Sequence, residues 1–249
     1  MPRDLATFVI DLGGVVWLAG TALPGAKEAI DILRSAGHPL IFATNNSSPT
    51  TSMFIERLGR IGVEATPAEI ISAADAAAFA VPHDSSVMVI GDVGVHQAVA
   101  DRGLAETESS PDAVIVGWSR DFSYETIARA SRSIREGAMF IATNDDPTHP
   151  TPEGLLPGTG ALVAAVATSA ESSPVVAGKP GTPMVELISE RAGVIAFAIG
   201  DRPSTDGNLA KALGVPFALV ESAATPADHN DAALTAPSLL GVVEQIMGA

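Results

Sequence analysis

The stretch that most constrains the fold of this 249-residue chain is Thr7-Phe8-Val9-Ile10-Asp11-Leu12-Gly13-Gly14-Val15-Val16, an apolar, β-branched run that stops in a carboxylate and two glycines. A run of this kind suits a parallel strand covered on both faces, and ligand sites in open α/β sheets lie beyond the carboxyl ends of such strands. Asp11 is thereby delivered to a sheet edge, where a carboxylate serves as nucleophile or metal ligand and glycines let backbone N–H groups approach an anion. Taken alone, an ordinary Asp before a turn explains the pattern at least as well.

The rest of the chain repeats the theme. Pro24-Gly25 opens a helix from Ala26 to Ser35, in which Ala26, Ala29, Ile30 and Leu33 recur at helical spacing and Gly37 is the stop. A second apolar run, Leu40-Ile41-Phe42-Ala43, ends in Thr44-Asn45-Asn46-Ser47-Ser48. Strand, helix, strand with short links is a βαβ unit, so Thr44 and Asn45 emerge on the same edge as Asp11. By itself this polar cluster reads equally as the cap of a helix over Thr51 to Arg60.

Three further apolar runs, Val87 to Ile90, Ala113 to Val116 and Met139 to Ala142, alternate with helical patterns at Val95 to Asp101 and Tyr124 to Arg135. A proline-rich passage from Thr143 to Pro152 follows, read as a surface or cleft loop because such proline density does not sit inside a sheet. These features predict an inserted α/β domain over residues 81–176, between core segments 1–80 and 177–249. After Gly178-Lys179-Pro180 and a helix near Pro183 to Arg191, the strand Val194 to Ile199 ends in Gly200-Asp201, with Asp206 close behind. Two acidic strand ends on one sheet repel unless a positive charge lies between them, and oxygen-rich ligation suits Mg²⁺. With the helix Thr205 to Leu213, the strand Phe217 to Val220 and the helix Pro237 to Met247, a five-stranded doubly wound core is expected.

A formal charge of −15 argues against nucleic acid and acidic membrane surfaces as partners. No cysteine is present, so disulfide and thiolate chemistry are excluded, and no run approaches the roughly 20 apolar residues of a membrane span. The expected setting is the cytoplasm.

The ordered set of Asp11, Thr44-Asn45, Gly178-Lys179-Pro180 and Gly200-Asp201 to Asp206 resembles the four motifs of the haloacid dehalogenase superfamily of phosphatases. The insertion resembles that of its class IIA members, the 4-nitrophenylphosphatase-like enzymes. The resemblance implies a doubly wound, Rossmann-like α/β core with an α/β cap, and a small phosphorylated metabolite as substrate. It further implies that Asp11 attacks phosphorus, that Thr44, Asn45 and Asn46 hold the phosphoryl group, and that Lys179 neutralises its charge. Asp11, the carbonyl of Gly13 and Asp201 would hold Mg²⁺, supported by Asp206. Thr143, Asn144 and Asp146 are the cap positions implied to meet substrate, and a homodimer through the cap is the assembly suggested.

Two residues after the nucleophile the family pattern has an aspartate that protonates the leaving group and activates water; here it is Gly13. Loss of a general acid or base costs about 10²–10⁴ in rate, or roughly 3–5 kcal/mol of barrier. The expectation is a phosphatase slow on alkyl phosphates and better on esters with acidic leaving groups. A protein that binds a phosphorylated ligand without turnover is the alternative, and C–P or C–halogen chemistry a third. Ser119 is a milder departure, at a cap position where many relatives carry Asp.

Overall fold

The computed structural model describes residues 5–18, 20–151, 154–222 and 232–248. Pro152, which closes the proline-rich passage, and Asp4, in the opening segment, lie outside them. The chain forms two compact units, one of residues 1–44, 52–71 and 185–249, the other of residues 45–51 and 72–184. Among the described residues no helix is long and apolar enough to cross a membrane.

The first unit is built on a six-stranded sheet. In chain order its strands are Thr7–Asp11, Leu40–Thr44, Ile70–Ser72, Ile195–Gly200, Phe217–Val220 and Leu234–Ala236. Their spatial order is 3-2-1-4-5-6, the doubly wound arrangement whose direction reverses between the first strand and the fourth. Those two pair in parallel, with Ile10 opposite Ile199, and on its other side the first strand pairs with the second, Asp11 opposite Ala43. Phe8, Ile10, Leu40 and Phe42 join Ala26, Ile30 and Leu33 of the Ala26–Ser35 helix in one buried cluster, which is why the periodic positions of that helix were apolar. Gly37 adopts a left-handed φ of 84° just past its end.

The core sheet has six strands where five were expected. Ile70–Ser72 and Leu234–Ala236 span three residues each, too short for a periodic signal, and are held by neighbours rather than by their own pattern.

The second unit carries a five-stranded sheet of Val175–Val176, Met139–Ala142, Ala113–Val116, Ser86–Ile90 and Ala105–Glu106 in that spatial order, its pairs parallel. Ala130 and Ile134 of the Tyr124–Arg135 helix and Val163 and Val166 of the Thr159–Ala170 helix pack with Val114 and Val116 of this sheet. The expected loop after Thr143 contains an antiparallel hairpin, Thr148–Thr151 against Gly154–Pro157. Proline is tolerated because the hairpin is a two-stranded ribbon in which every strand is an edge.

Candidate active site

Asp11 ends the first strand and Asp201 directly follows the fourth, so the sheet reversal brings two carboxylates to one edge although 190 positions separate them. Asp206 arrives by a different route. Residues Pro203–Gly207 form a single π-helical turn, in which the Arg202 carbonyl accepts from the Asp206 N–H at 2.8 Å and the Arg202 N–H donates to Asp206 Oδ2 at 3.1 Å. The wide turn folds the Asp206 side chain back towards the strand end. Asp11, Asp201 and Asp206 are 8%, 4% and 3% exposed, and each offers an oxygen within 4.8 Å of the others.

Two glycines admit this cluster. Gly14 has φ +82°, and a Cβ there would lie 2.2 Å from Asp201 Oδ2; a Cβ on Gly200 would lie 2.2 Å from Cβ of Asp206. Gly13 is the opposite case. It is exposed, and a Cβ on it meets nothing within 4 Å.

Like charges at this spacing repel by roughly 3–4 kcal/mol per pair at the effective dielectric of a protein site. A buried oxygen-only donor set of this kind fits a hard divalent cation such as Mg²⁺, which removes that repulsion. Ser222, after the Phe217–Val220 strand, donates from Oγ to Asp201 Oδ2 at 2.7 Å and orients that carboxylate. Sequence reasoning missed Ser222, a lone serine with no motif. Only the pairing of Gly200 with Leu219 carries it to Asp201.

Thr44, 5% exposed, is one position beyond the partner of Asp11 on the neighbouring strand. The remaining expected site residues fall in the second unit. There Asn45 joins distant segments: its Oδ1 accepts from the Lys179 N–H at 2.7 Å, its Nδ2 donates to the Lys179 carbonyl at 3.1 Å, and its own carbonyl accepts from Asn144 Nδ2 at 2.9 Å. Lys179 is 3% exposed, and the Lys179–Pro180 peptide is cis. Asn144 Oδ1 accepts from the Asp146 N–H at 3.2 Å, and the Thr143 and Ser47 hydroxyls pair at 3.0 Å. Asn46 closes a local turn by accepting from the Ser48 N–H, and Ser119 does the same for Asp121. One unit thus gathers the acidic triad and Thr44, the other Asn45, Lys179, Asn144 and Asp146.

Residues 8–105 match the family model described as haloacid dehalogenase-like hydrolase, and residues 176–246 a second described as HAD-hydrolase-like. A 5'-nucleotidase of Bacillus subtilis, YutF, is 33% identical over 228 residues, 89% of each chain. The p-nitrophenyl phosphatase of Archaeoglobus fulgidus superimposes with a TM-score of 0.90 at 27% identity, over 98% of this chain and all of that one. The glycerol phosphate phosphatase Rv1692 of Mycobacterium tuberculosis, solved in complex with magnesium, superimposes with a TM-score of 0.79 at 33% identity, over 88% of this chain and 69% of that one.

Proposed function

The chain belongs to the haloacid dehalogenase-like hydrolases and is a phosphoric monoester hydrolase that uses Mg²⁺; from that premise we propose that Asp11 is its nucleophile and that Gly13 narrows its substrates to esters with good leaving groups. The observation that carries this reading is the buried triad of Asp11, Asp201 and Asp206, joined within 4.8 Å at the reversal of the core sheet. Asp11, Asp201 and the Gly13 carbonyl, with Asp206 beside them, would hold Mg²⁺, which would supply charge neutralisation at the phosphoryl group.

An Asp11 carboxylate oxygen bonds to phosphorus as the ester P–O bond breaks, and the electron pair leaves with the alcohol oxygen. Water then attacks the aspartyl-phosphate, releasing inorganic phosphate and restoring the carboxylate. Thr44, Asn45 and Asn46 hold the phosphoryl oxygens, and Lys179, fixed through its backbone by Asn45, offsets their charge. Asn144 and Asp146 belong to the substrate-facing part of the insertion, which spans 81–176 as a cap between core segments 1–80 and 177–249. Residue 13 has no side chain to protonate the leaving oxygen, so that oxygen departs as an anion. Aryl phosphates tolerate this and alkyl phosphates do not. The substrate is a small phosphorylated metabolite, the setting the cytoplasm, and the assembly a homodimer through the cap.

The test compares 4-nitrophenyl phosphate with glycerol phosphate in the presence of Mg²⁺. The aryl ester should turn over at least about 10²-fold faster, and acetyl phosphate should leave a phosphorylated chain visible by mass spectrometry. Equal, fast turnover of both esters would refute the role given to Gly13. Tight binding of a phosphate ester with no release over hours would favour the second reading, a ligand-binding homologue, which the side-chain-free Gly13 also supports.

A further inference from the structure

Two asparagines of the second unit close the same short phrase, Ala43-Thr44-Asn45 and Ala142-Thr143-Asn144, each at the end of a strand. Their side chains do the same work. Asn45 meets both backbone groups of Lys179, accepting from its N–H through Oδ1 and donating to its carbonyl through Nδ2. Asn144 acts one step earlier: its Nδ2 donates to the Asn45 carbonyl at 2.9 Å, and its Oδ1 accepts from the Asp146 N–H at 3.2 Å. Only one orientation of each amide satisfies both of its contacts. At 5% exposure, with both ends of its amide engaged, Asn144 is turned to the main chain.

A gripped carbonyl fixes more than itself. The Asn45 C=O and the Asn46 N–H belong to one planar trans peptide, so a donor that holds the first also sets the direction of the second. The segment leading to Lys179 is held against the same place. The Ala177 N–H donates to the Ala142 carbonyl and the Gly178 N–H to the Thr143 carbonyl, both at 2.8 Å. A Cβ on Gly178 would lie 2.5 Å from the Thr143 oxygen and 2.6 Å from Asn45 Oδ1, so no side chain fits between these segments. Three stretches of chain, at 45–46, 142–146 and 177–179, are thus tied together within one unit, and Asn144 supplies the tie from the second to the first.

We propose that Asn144 is a positioning residue for phosphoryl binding. By holding the Asn45 carbonyl it sets the Asn46 N–H and, through the Asn45 side chain, the backbone of Lys179. Its own side chain touches neither the phosphoryl group nor the leaving group. The inference rests on the roles proposed above for Asn45, Asn46 and Lys179, and adds what holds them in place.

Asn144→Asp removes the Nδ2 donor and keeps the acceptor that Asp146 uses. By calorimetry with inorganic phosphate in the presence of Mg²⁺, N144D should bind about 10–10²-fold more weakly than the parent, the loss expected when binding groups shift by roughly an ångström. Its kcat/KM for 4-nitrophenyl phosphate and for acetyl phosphate should fall by that same factor, because the two share only the phosphoryl group. Mg²⁺ binding without phosphate, which belongs to the first unit, should stay as in the parent. S47A breaks the Ser47–Thr143 hydroxyl pair between the same two segments, and it should lower the melting temperature while leaving phosphate affinity unchanged. N144A carries the same test if the new carboxylate unfolds the chain. A loss confined to one ester, with phosphate affinity intact, would make Asn144 a contact of the leaving group and overturn the proposal. Equal losses of phosphate affinity in N144D and S47A would overturn it too, since they would mark loop stability alone. Lys179→Met binding phosphate as tightly as the parent would instead refute the role given above to Lys179, while a loss in N144D would still stand for Asn46.

Discussion

Gly13 and Gly14 are adjacent and chemically identical, yet a methyl group on each would meet opposite surroundings: open space at the first, the Asp201 carboxylate 2.2 Å away at the second. The difference is tertiary, because Asp201 comes from the far end of the chain. Gly13→Asp should therefore be accommodated, and on the proposed mechanism it should raise turnover of glycerol phosphate by about 10²–10⁴ while changing that of 4-nitrophenyl phosphate far less. Steady-state kinetics on both esters checks this, and equal gains on the two would contradict it. Gly14→Ala should have the opposite effect. It forces a left-handed φ on a residue with a Cβ and pushes Asp201 aside, so Mg²⁺ binding by calorimetry should weaken at least about tenfold. The sequence set Gly13 apart by its place in the motif, but not by the space around it, which only the fold shows.

At the scale of elements, the legible parts were those with enough residues to show a period. The helices Ala26–Ser35, Thr51–Arg60 and Tyr124–Arg135 run to the ends their patterns set, and the buried strands Thr7–Asp11 and Ala113–Val116 declare themselves by uninterrupted apolar runs. The π turn at Pro203–Gly207 was not legible, since its wide hydrogen bonding leaves no compositional trace. Asp112 shows how two strand starts are pinned. Its carboxylate accepts from the Ser86 backbone N–H at 2.8 Å and from the Ser86 hydroxyl at 2.7 Å, which lowers its pKa from the ordinary value of 3.8. A lowered carboxylate pKa contributes stability above the unfolded value, lost as pH falls through the folded one. In urea titrations the gap between the parent and Asp112→Asn should be widest above about pH 4 and close below it. A gap that widened towards acid would contradict the assignment.

For the whole molecule, a formal charge of −15 includes three carboxylates confined to one buried site, so the metal and the fold are linked. At a hundredfold excess over its dissociation constant Mg²⁺ should add about 2.7 kcal/mol, or about 5–10 °C in melting temperature for a chain of this size. Chelation should reverse the shift, and Asp201→Asn should nearly abolish it; a shift of the same size in that variant would detach the metal from the triad. The chain by itself determined the α/β class, the acidic strand ends and the ordered motifs, because each is written in a short run whose apolar period or terminal residue is local. Only the tertiary structure decided that the sheet reverses between Thr7–Asp11 and Ile195–Gly200, that Ser222 reaches Asp201, and that Val175–Val176 joins the second sheet rather than the first. Those outcomes depend on which strand edges pair, and pairing is chosen by packing between segments far apart in the chain, of which no single stretch carries a record.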